Sequence, residues 1–522
     1  MSVIQLLLAA EAAIAERAVR STAFRHRYLS KTPLVVVAFN LSGEAAAPLG
    51  FCHGTNPARP KVLVAAEPRN RESRFGAINA FAADFTKHIL PYLELVEMEG
   101  GRGAKTYTFK AAEDAPQIVF PNRATRDYVT ARLGRSLRYL GLGDTHEVPD
   151  ETSWAGSHLS YLAEHAHLPG QSMVLAATEL LERHFVTGQS GLENENLATL
   201  LAWIENPPGA GRKRMRDAES AAYGPVPDPD WEAKLEPSVR AWSQANRAGN
   251  QAEMRRLETV IHGEVEAVLL PAYAATHRAI EIMREVPEAT HVAERWAQDI
   301  RLWSKHARRA QRGIPRFSRR HDARRAAQLL ELWSRALEAV AYEEALDDPM
   351  VLAELDAAGR CVVGKVRKVN ADHREVKPGN KRATSVPLVE IALDEPTRLL
   401  PGEAVLWSRN DKVTAVLRAV DEKRAELAVM GGHNRGTTLP SVGDNIVFAA
   451  LSVFGGGSPE DPDDVPWTHR PAESSPALPE SSPDLTLIDG PPDEAPDLAL
   501  DELATLPLVG AVPLGDVPGV VI

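Results

Sequence analysis

Ten Lys and Arg side chains crowd residues 301–325 (RLWSKHARRAQRGIPRFSRRHDARR) against one acid, Asp322, for a local charge of +9. At helical spacing Lys305, Arg308, Arg309 and Arg312 share a broad face, and Arg316, Arg319 and Arg320 follow beyond the break at Gly313-Ile314-Pro315. Cations arranged this way suit the phosphates of DNA or RNA, because each neutralised phosphate releases condensed counterions. The same run also reads as a solvated helix surface, or as a dock for an acidic segment of the chain. A second basic set lies further on. Lys412, Thr414 and Arg418 alternate with Val413, Ala415 and Leu417, which puts the cations on the outer face of a strand, and the 370–385 loop adds Arg374, Lys377, Lys381 and Arg382. Such a surface can track a nucleic-acid backbone. Stacking aromatics are scarce beside it, since Trp407 and Phe448 read as core residues.

Residues able to make or break bonds form no comparable pattern. Cys52-His53-Gly54 and Glu67-Pro68-Arg69-Asn70-Arg71-Glu72 make the densest polar cluster near strand ends. Neighbours in a strand point to opposite faces, so Cys52 and His53 are not a nucleophile and base in contact. Glu44, Glu67 and Asp84 lack the Glu-x-Lys element that would help them hold a divalent ion in a nuclease. His158, His165 and His167 cluster without a cysteine or carboxylate at zinc-ligand spacing. Glu193-Asn194-Glu195-Asn196, ahead of Leu197, reads as helix-capping. The sequence has no G-x-x-x-x-G-K-[ST] phosphate loop, no H-E-x-x-H and no G-x-S-x-G. The expectation is a chain with no ATPase, metal site or cofactor of its own.

These residues sit on elements that the patterning separates into four regions. Residues 1–222 read as an α/β domain, with buried strands at Leu34-Asn40 and Lys61-Ala66, a turn region at Cys52-Pro57, further strands at Thr106-Lys110 and Gln117-Phe120, and helices at Phe75-Leu93 and Ser172-His184. Pro/Gly-rich linkers at 206–211 and 224–229 close it. Residues 230–358 repeat apolar positions at helical spacing over Trp231-Ala248, Gln251-Arg284, Pro287-Gln311 and His321-Leu355, which predicts a long helical stalk carrying the basic segment. Residues 359–455 hold six short β-type runs, Cys361-Val369, Val386-Leu393, Glu403-Arg409, Lys412-Val420, Arg424-Met430 and Asp444-Leu451. Turn signals separate them, which predicts a small closed β-barrel. Residues 456–522 predict a disordered acidic, Pro-rich tail whose apolar end from Leu506 could dock a partner. The fold class expected is therefore α+β and multidomain.

Charge sharpens that division. The whole chain is −12, but residues 459–522 hold fourteen acids and only Arg470 as a base, so the remaining body is close to neutral. With 44% apolar residues the body can bury real cores, yet no run reaches the roughly 20 apolar residues of a membrane span. The start of the chain lacks a basic region before its apolar run and continues through Glu11 and Glu16, unlike a signal peptide. Two cysteines, Cys52 and Cys361, exclude a disulfide framework. A cytoplasmic protein with no membrane partner is expected.

One family resemblance joins the stalk to the barrel. Gly364-Lys365-Val366-Arg367-Lys368-Val369, Leu399 to Trp407 and Val416 to Val420 resemble the barrel subdomain of superfamily 1 helicases of the nonsense-mediated-decay type, and Pro466-Trp467-Thr468-His469 resembles the connector leading back to a motor. The likeness spans about 230–470 and implies a barrel on two long helices that touches nucleic acid. Because the phosphate loop is missing, it also implies that an ATPase or helicase motor lies on a partner chain or has been lost. The leading expectation is a non-catalytic, helicase-associated accessory protein that binds nucleic-acid backbone through the basic helix and barrel. A protein–protein scaffold, or a nuclease or hydrolase hidden in the first domain, are the alternatives.

Overall fold

The computed structural model describes residues 3–44, 47–100, 107–140, 148–221, 223–313, 322–376, 382–433 and 439–450. The acidic tail at 456–522 lies outside them, as do Arg316, Arg319, Arg320, Lys377 and Lys381. The chain forms two compact units, Met1–Pro315 and Arg316–Ile522.

In the first unit, strands β1 (Leu34–Asn40), β2 (Pro48–Gly54) and β3 (Lys61–Val64) form an antiparallel meander. Helix α1 (Arg71–Ile89) follows, then a separate hairpin of β4 (Val96–Gly100) and β5 (Tyr107–Ala111). Strands β6 (Ile118–Phe120) and β7 (Val174–Ala176) add in parallel on the other side of β1, so the sheet order is β3-β2-β1-β6-β7. Between β6 and β7 come the short helix α2 (Arg123–Asp127) and α3 (Asp150–His165). Every residue of β1 is buried, because both faces of the sheet are covered.

One face meets α4 (Pro229–Arg247) and α5 (Gln251–Arg284). Val35, Val37, Phe39, Leu49 and Cys52 share a core with Leu235, Val239 and Trp242 of α4 and with Ile261, Val265, Leu269 and Tyr273 of α5. The other face carries Phe51, whose ring stacks on Phe81 of α1 at 4.6 Å. Residues 52 and 53 therefore part company, Cys52 toward α5 and His53 toward α1. Of the turn region expected over Cys52-Pro57, residues 52–54 belong to strand β2 and the chain turns only after them, from Thr55. A Cβ on Gly50 of that strand would lie 2.7 Å from the Leu63 carbonyl oxygen and 3.1 Å from Val265, so glycine lets α5 approach the sheet.

This packing differs from a free stalk over 230–358. The buried positions of α5, from Met254 through Leu257, Ile261, Val265 and Leu269 to Ala272, repeat every three or four residues and lie along the sheet. Helix α6 (Val292–Gln311) also belongs to the first unit, and its Trp303 is fully buried. The unit boundary falls at 315/316 instead of at the two ends of the expected stalk. Amphipathic helices bury their apolar stripe wherever a sheet face is available, and helix length does not reveal that partner.

In the second unit, α7 (Ala323–Asp347) and α8 (Pro349–Ala357) precede the barrel. Its strands are β8 (Cys361–Asn370), β11 (Leu388–Leu393), β12 (Ala404–Trp407), β13 (Asn410–Val420), β14 (Arg424–Gly431) and β15 (Asn445–Ala449), with the small hairpin β9 (Arg374–Val376) and β10 (Ala383–Ser385) between β8 and β11. The ring β8-β11-β14-β13-β12-β15 closes through β8 and β15, which leaves no free edge. Val362, Val389, Ile391, Val405, Leu417, Leu427 and Phe448 fill the interior, and Trp407 packs with them. Tyr342, Leu352 and Leu355 seat the two helices on Cys361, Leu406 and Ala449. The β8–β11 seam depends on Gly364, where a Cβ would lie 2.0 Å from the Ala392 carbonyl oxygen. Gly364→Val should destabilise the barrel by about 3 kcal/mol or more through overpacking, read as a lower melting temperature of this unit. An unchanged melt would show that the seam can open without loss.

Candidate nucleic-acid interface

Helix α6 is held along its inner side by contacts that fix its rotation. The Trp296 indole donates to Asp114 Oδ1 at 2.9 Å, the Trp303 indole to the Tyr92 carbonyl at 2.7 Å, and Gln311 to the Leu93 carbonyl at 2.9 Å. Ser304 Oγ accepts the Ala112 amide at 2.9 Å. Deeper in, buried Asp299 accepts His165 Nε2 at 2.9 Å and the Ser172 amide at 2.7 Å. His306 Nε2 lies 2.7 Å from His158 Nδ1, and its ring stacks on Tyr161 at 3.9 Å. His158 and His165, which lacked partners at zinc-ligand spacing in sequence, thus find them across the fold, as a core network. Burial pushes the His158 imidazole down to about 3, and it drives His306 well below its ordinary value.

With that side anchored, Arg301, Lys305, Arg308 and Arg312 recur at intervals of four, three and four residues on the outward face. Arg301 and Arg312 are exposed, while Lys305, Arg308 and Arg309 are half-buried. From Ile300 to Arg312 the helix carries no acid. Cations in the last turn also favour the helix itself, through its negative C-terminal dipole end. Arg308 Nη1 donates to the Lys110 carbonyl at 2.7 Å, tying the stripe to the β4/β5 hairpin.

That hairpin holds residues the sequence reading passed over. Tyr107 and Phe109 are 62% and 40% exposed, with ring centroids 5.9 Å apart. They share one face of β5 as residues i and i+2, opposite Gly100 and Met98 of β4. Glu97, Glu99, Thr108 and Lys110 occupy the other face. The Tyr-x-Phe alternation was the available signal, but nothing local in it says which face meets water.

The barrel cations are more dispersed. Arg374 and Arg382 are exposed. Arg418 is paired with Glu375, which also bonds His373 Nε2 at 2.8 Å. Burial raises the Glu375 carboxyl, but its bonds to Arg418 and His373 outweigh that and hold it below its ordinary value. Arg418 is therefore neutralised locally, in contrast to the open cationic face expected for this strand. Lys412 falls within β13, but its side chain lies outside the described atoms.

Two polar clusters compete for a catalytic reading. Asp84 of α1 bonds His53 Nε2 at 3.1 Å and Lys61 Nζ at 2.5 Å. Burial lowers the His53 imidazole, with Asp84 pulling the other way. The neighbouring Cys52 thiol is pushed up to about 12, mainly by burial, so it is no nucleophile at neutral pH. At the carboxyl ends of β1 and β6, where α/β sheets commonly seat ligands, residues 223–225 fill the crevice. The Asn40 amide donates to the Pro225 carbonyl and Asn122 Nδ2 to the Gly224 carbonyl, each at 2.8 Å. Gly224 has φ +90°, and a Cβ on it would lie 2.7 Å from the Ala38 carbonyl oxygen.

Among the described residues no helix is long and apolar enough to cross a membrane. No protein-family model, curated protein or solved structure matches the chain.

Proposed function

We propose that this chain is a nucleic-acid-binding accessory protein that grips the phosphate backbone with the outward cations of α6. One observation carries the reading: Arg301, Lys305, Arg308 and Arg312 line a single face of a helix whose opposite face is locked into the core, with no acid from Ile300 to Arg312. Rigid display matters because a helix already fixed in the core adds no backbone ordering cost when its cations meet phosphate. Exposed Arg374 and Arg382 of the barrel unit are the second basic set. The sequence likeness to helicase stalk-and-barrel regions suggests the kind of assembly served, and residues 1–522 hold no G-x-x-x-x-G-K-[ST] phosphate loop.

The test is binding of labelled single- and double-stranded DNA and RNA at two salt concentrations. Four phosphate contacts on a single strand predict a log–log salt slope of about −3, or an affinity roughly 50-fold weaker at 200 mM than at 50 mM salt. Absence of binding at 50 mM salt would overturn the reading in favour of a protein–protein scaffold.

A further inference from the structure

We propose that the Tyr107/Phe109 face of the β4/β5 hairpin is a stacking platform for unpaired bases, so that the ligand of this protein is a single-stranded polynucleotide. The inference rests on the reading of α6 as the backbone grip and adds to it the chemistry that selects strand type. Two large aromatic side chains, 62% and 40% exposed, stand side by side on a two-stranded hairpin. Exposed apolar surface of this kind is unfavourable in water unless a ligand covers it. Gly100, directly across from Tyr107, keeps the platform clear: a Cβ there would come within 3.0 Å of both rings.

Charge decides which ligand covers the rings. Arg308 belongs to the cation stripe and also donates to the Lys110 carbonyl of β5, so cations and aromatics are built into one rigid arrangement. A partner that offers flat π-faces strung on an anionic backbone satisfies both sets at once. An apolar peptide would cover the rings and make no use of the exposed Arg301 and Arg312. On the opposite face of the hairpin Glu97 and Glu99 outnumber Lys110, so that face offers phosphate no net attraction and the aromatic side is favoured. Bases inside a duplex are already stacked on one another, so only unpaired bases can use the platform.

The test uses the full chain, a fluorescent oligothymidylate and its duplex with oligoadenylate. Tyr107→Ala with Phe109→Ala should weaken single-strand binding by about tenfold or more per stacked base. The salt slope should stay unchanged because no phosphate contact is lost, and duplex binding should be unaffected. Tyr107→Trp should retain affinity, and its fluorescence should be quenched by the oligonucleotide. The melting temperature of each variant separates loss of binding from loss of folding. If the wild-type protein binds with a steep salt dependence while the double alanine variant folds and binds single strands equally well, the platform is overturned and the backbone grip stands. If the wild-type protein binds neither strand type, both readings fall.

Discussion

Charge reversal at Arg301, Arg308 and Arg312 should nearly abolish nucleic-acid binding and flatten its salt dependence. Counterion release contributes about 0.7 log units of affinity per tenfold change in salt for each single-strand phosphate contact, or roughly eightfold per contact at 50 mM salt. Three lost contacts thus weaken binding on the order of several-hundred-fold, and the three new carboxylates add repulsion. The slope should fall from about −3 to about −0.7, leaving only Lys305. Arg308 also supports the hairpin through the Lys110 carbonyl. A second variant, Arg301→Glu with Arg312→Glu, therefore changes only the two exposed positions of the stripe and leaves that bond intact. Its melting temperature should match the wild type while its slope falls by about half. Wild-type affinity in both variants would remove α6 from the interface.

The first unit should lose stability as pH falls below 6.5, before most carboxylates titrate. His158 and His184 are buried as neutral imidazoles, each pushed down to about 3, chiefly by burial. His184 Nε2 accepts the His26 amide and its Nδ1 faces the Leu180 carbonyl, so taking up a second proton would break the first bond. A folded-state pKa below the unfolded value of about 6.5 means stability that is complete above pH 6.5 and is lost progressively as pH falls toward 3. At pH 5 each of these two groups should contribute a loss of about 2 kcal/mol, together about 4 kcal/mol before other lowered histidines such as His306 and His53 are added, against a typical domain stability of about 5–15 kcal/mol. The melting temperature of this unit should drop by about 8 °C between pH 7.5 and pH 5. Glu164 and Glu182, raised mainly by burial, act in the opposite sense and reduce the fall nearer the carboxylate range. His158→Gln removes one titrating group and should make the pH dependence shallower, with His184, His306 and His53 still contributing, whatever it does to absolute stability. A melting temperature constant from pH 7.5 to pH 5 would contradict the neutral burial of these histidines.

What was legible in the sequence was local. The barrel could be read from six alternating runs and the turns between them, since hairpin signals act over a few residues, and the inward placing of Trp407 and Phe448 follows from strand alternation. Alternation likewise separates Cys52 from His53, and α5 begins at Gln251 and ends at Arg284 as its periodicity predicts. The partner of each face was not legible. A stripe with three- and four-residue spacing looks the same on a projecting stalk and on a helix laid against a sheet, so the place of α4, α5 and α6 in the first unit emerged only from the fold. His165 meets Asp299 across 134 residues, and His158 meets His306 across 148. Arg418 is neutralised by Glu375 from a different hairpin. Sequence by itself determined which residues could be cationic, aromatic or apolar, and on what period they repeat. Tertiary structure decided which cations stay outward and which aromatics stay exposed, because burial depends on contacts between segments far apart in the chain, and no local pattern encodes those.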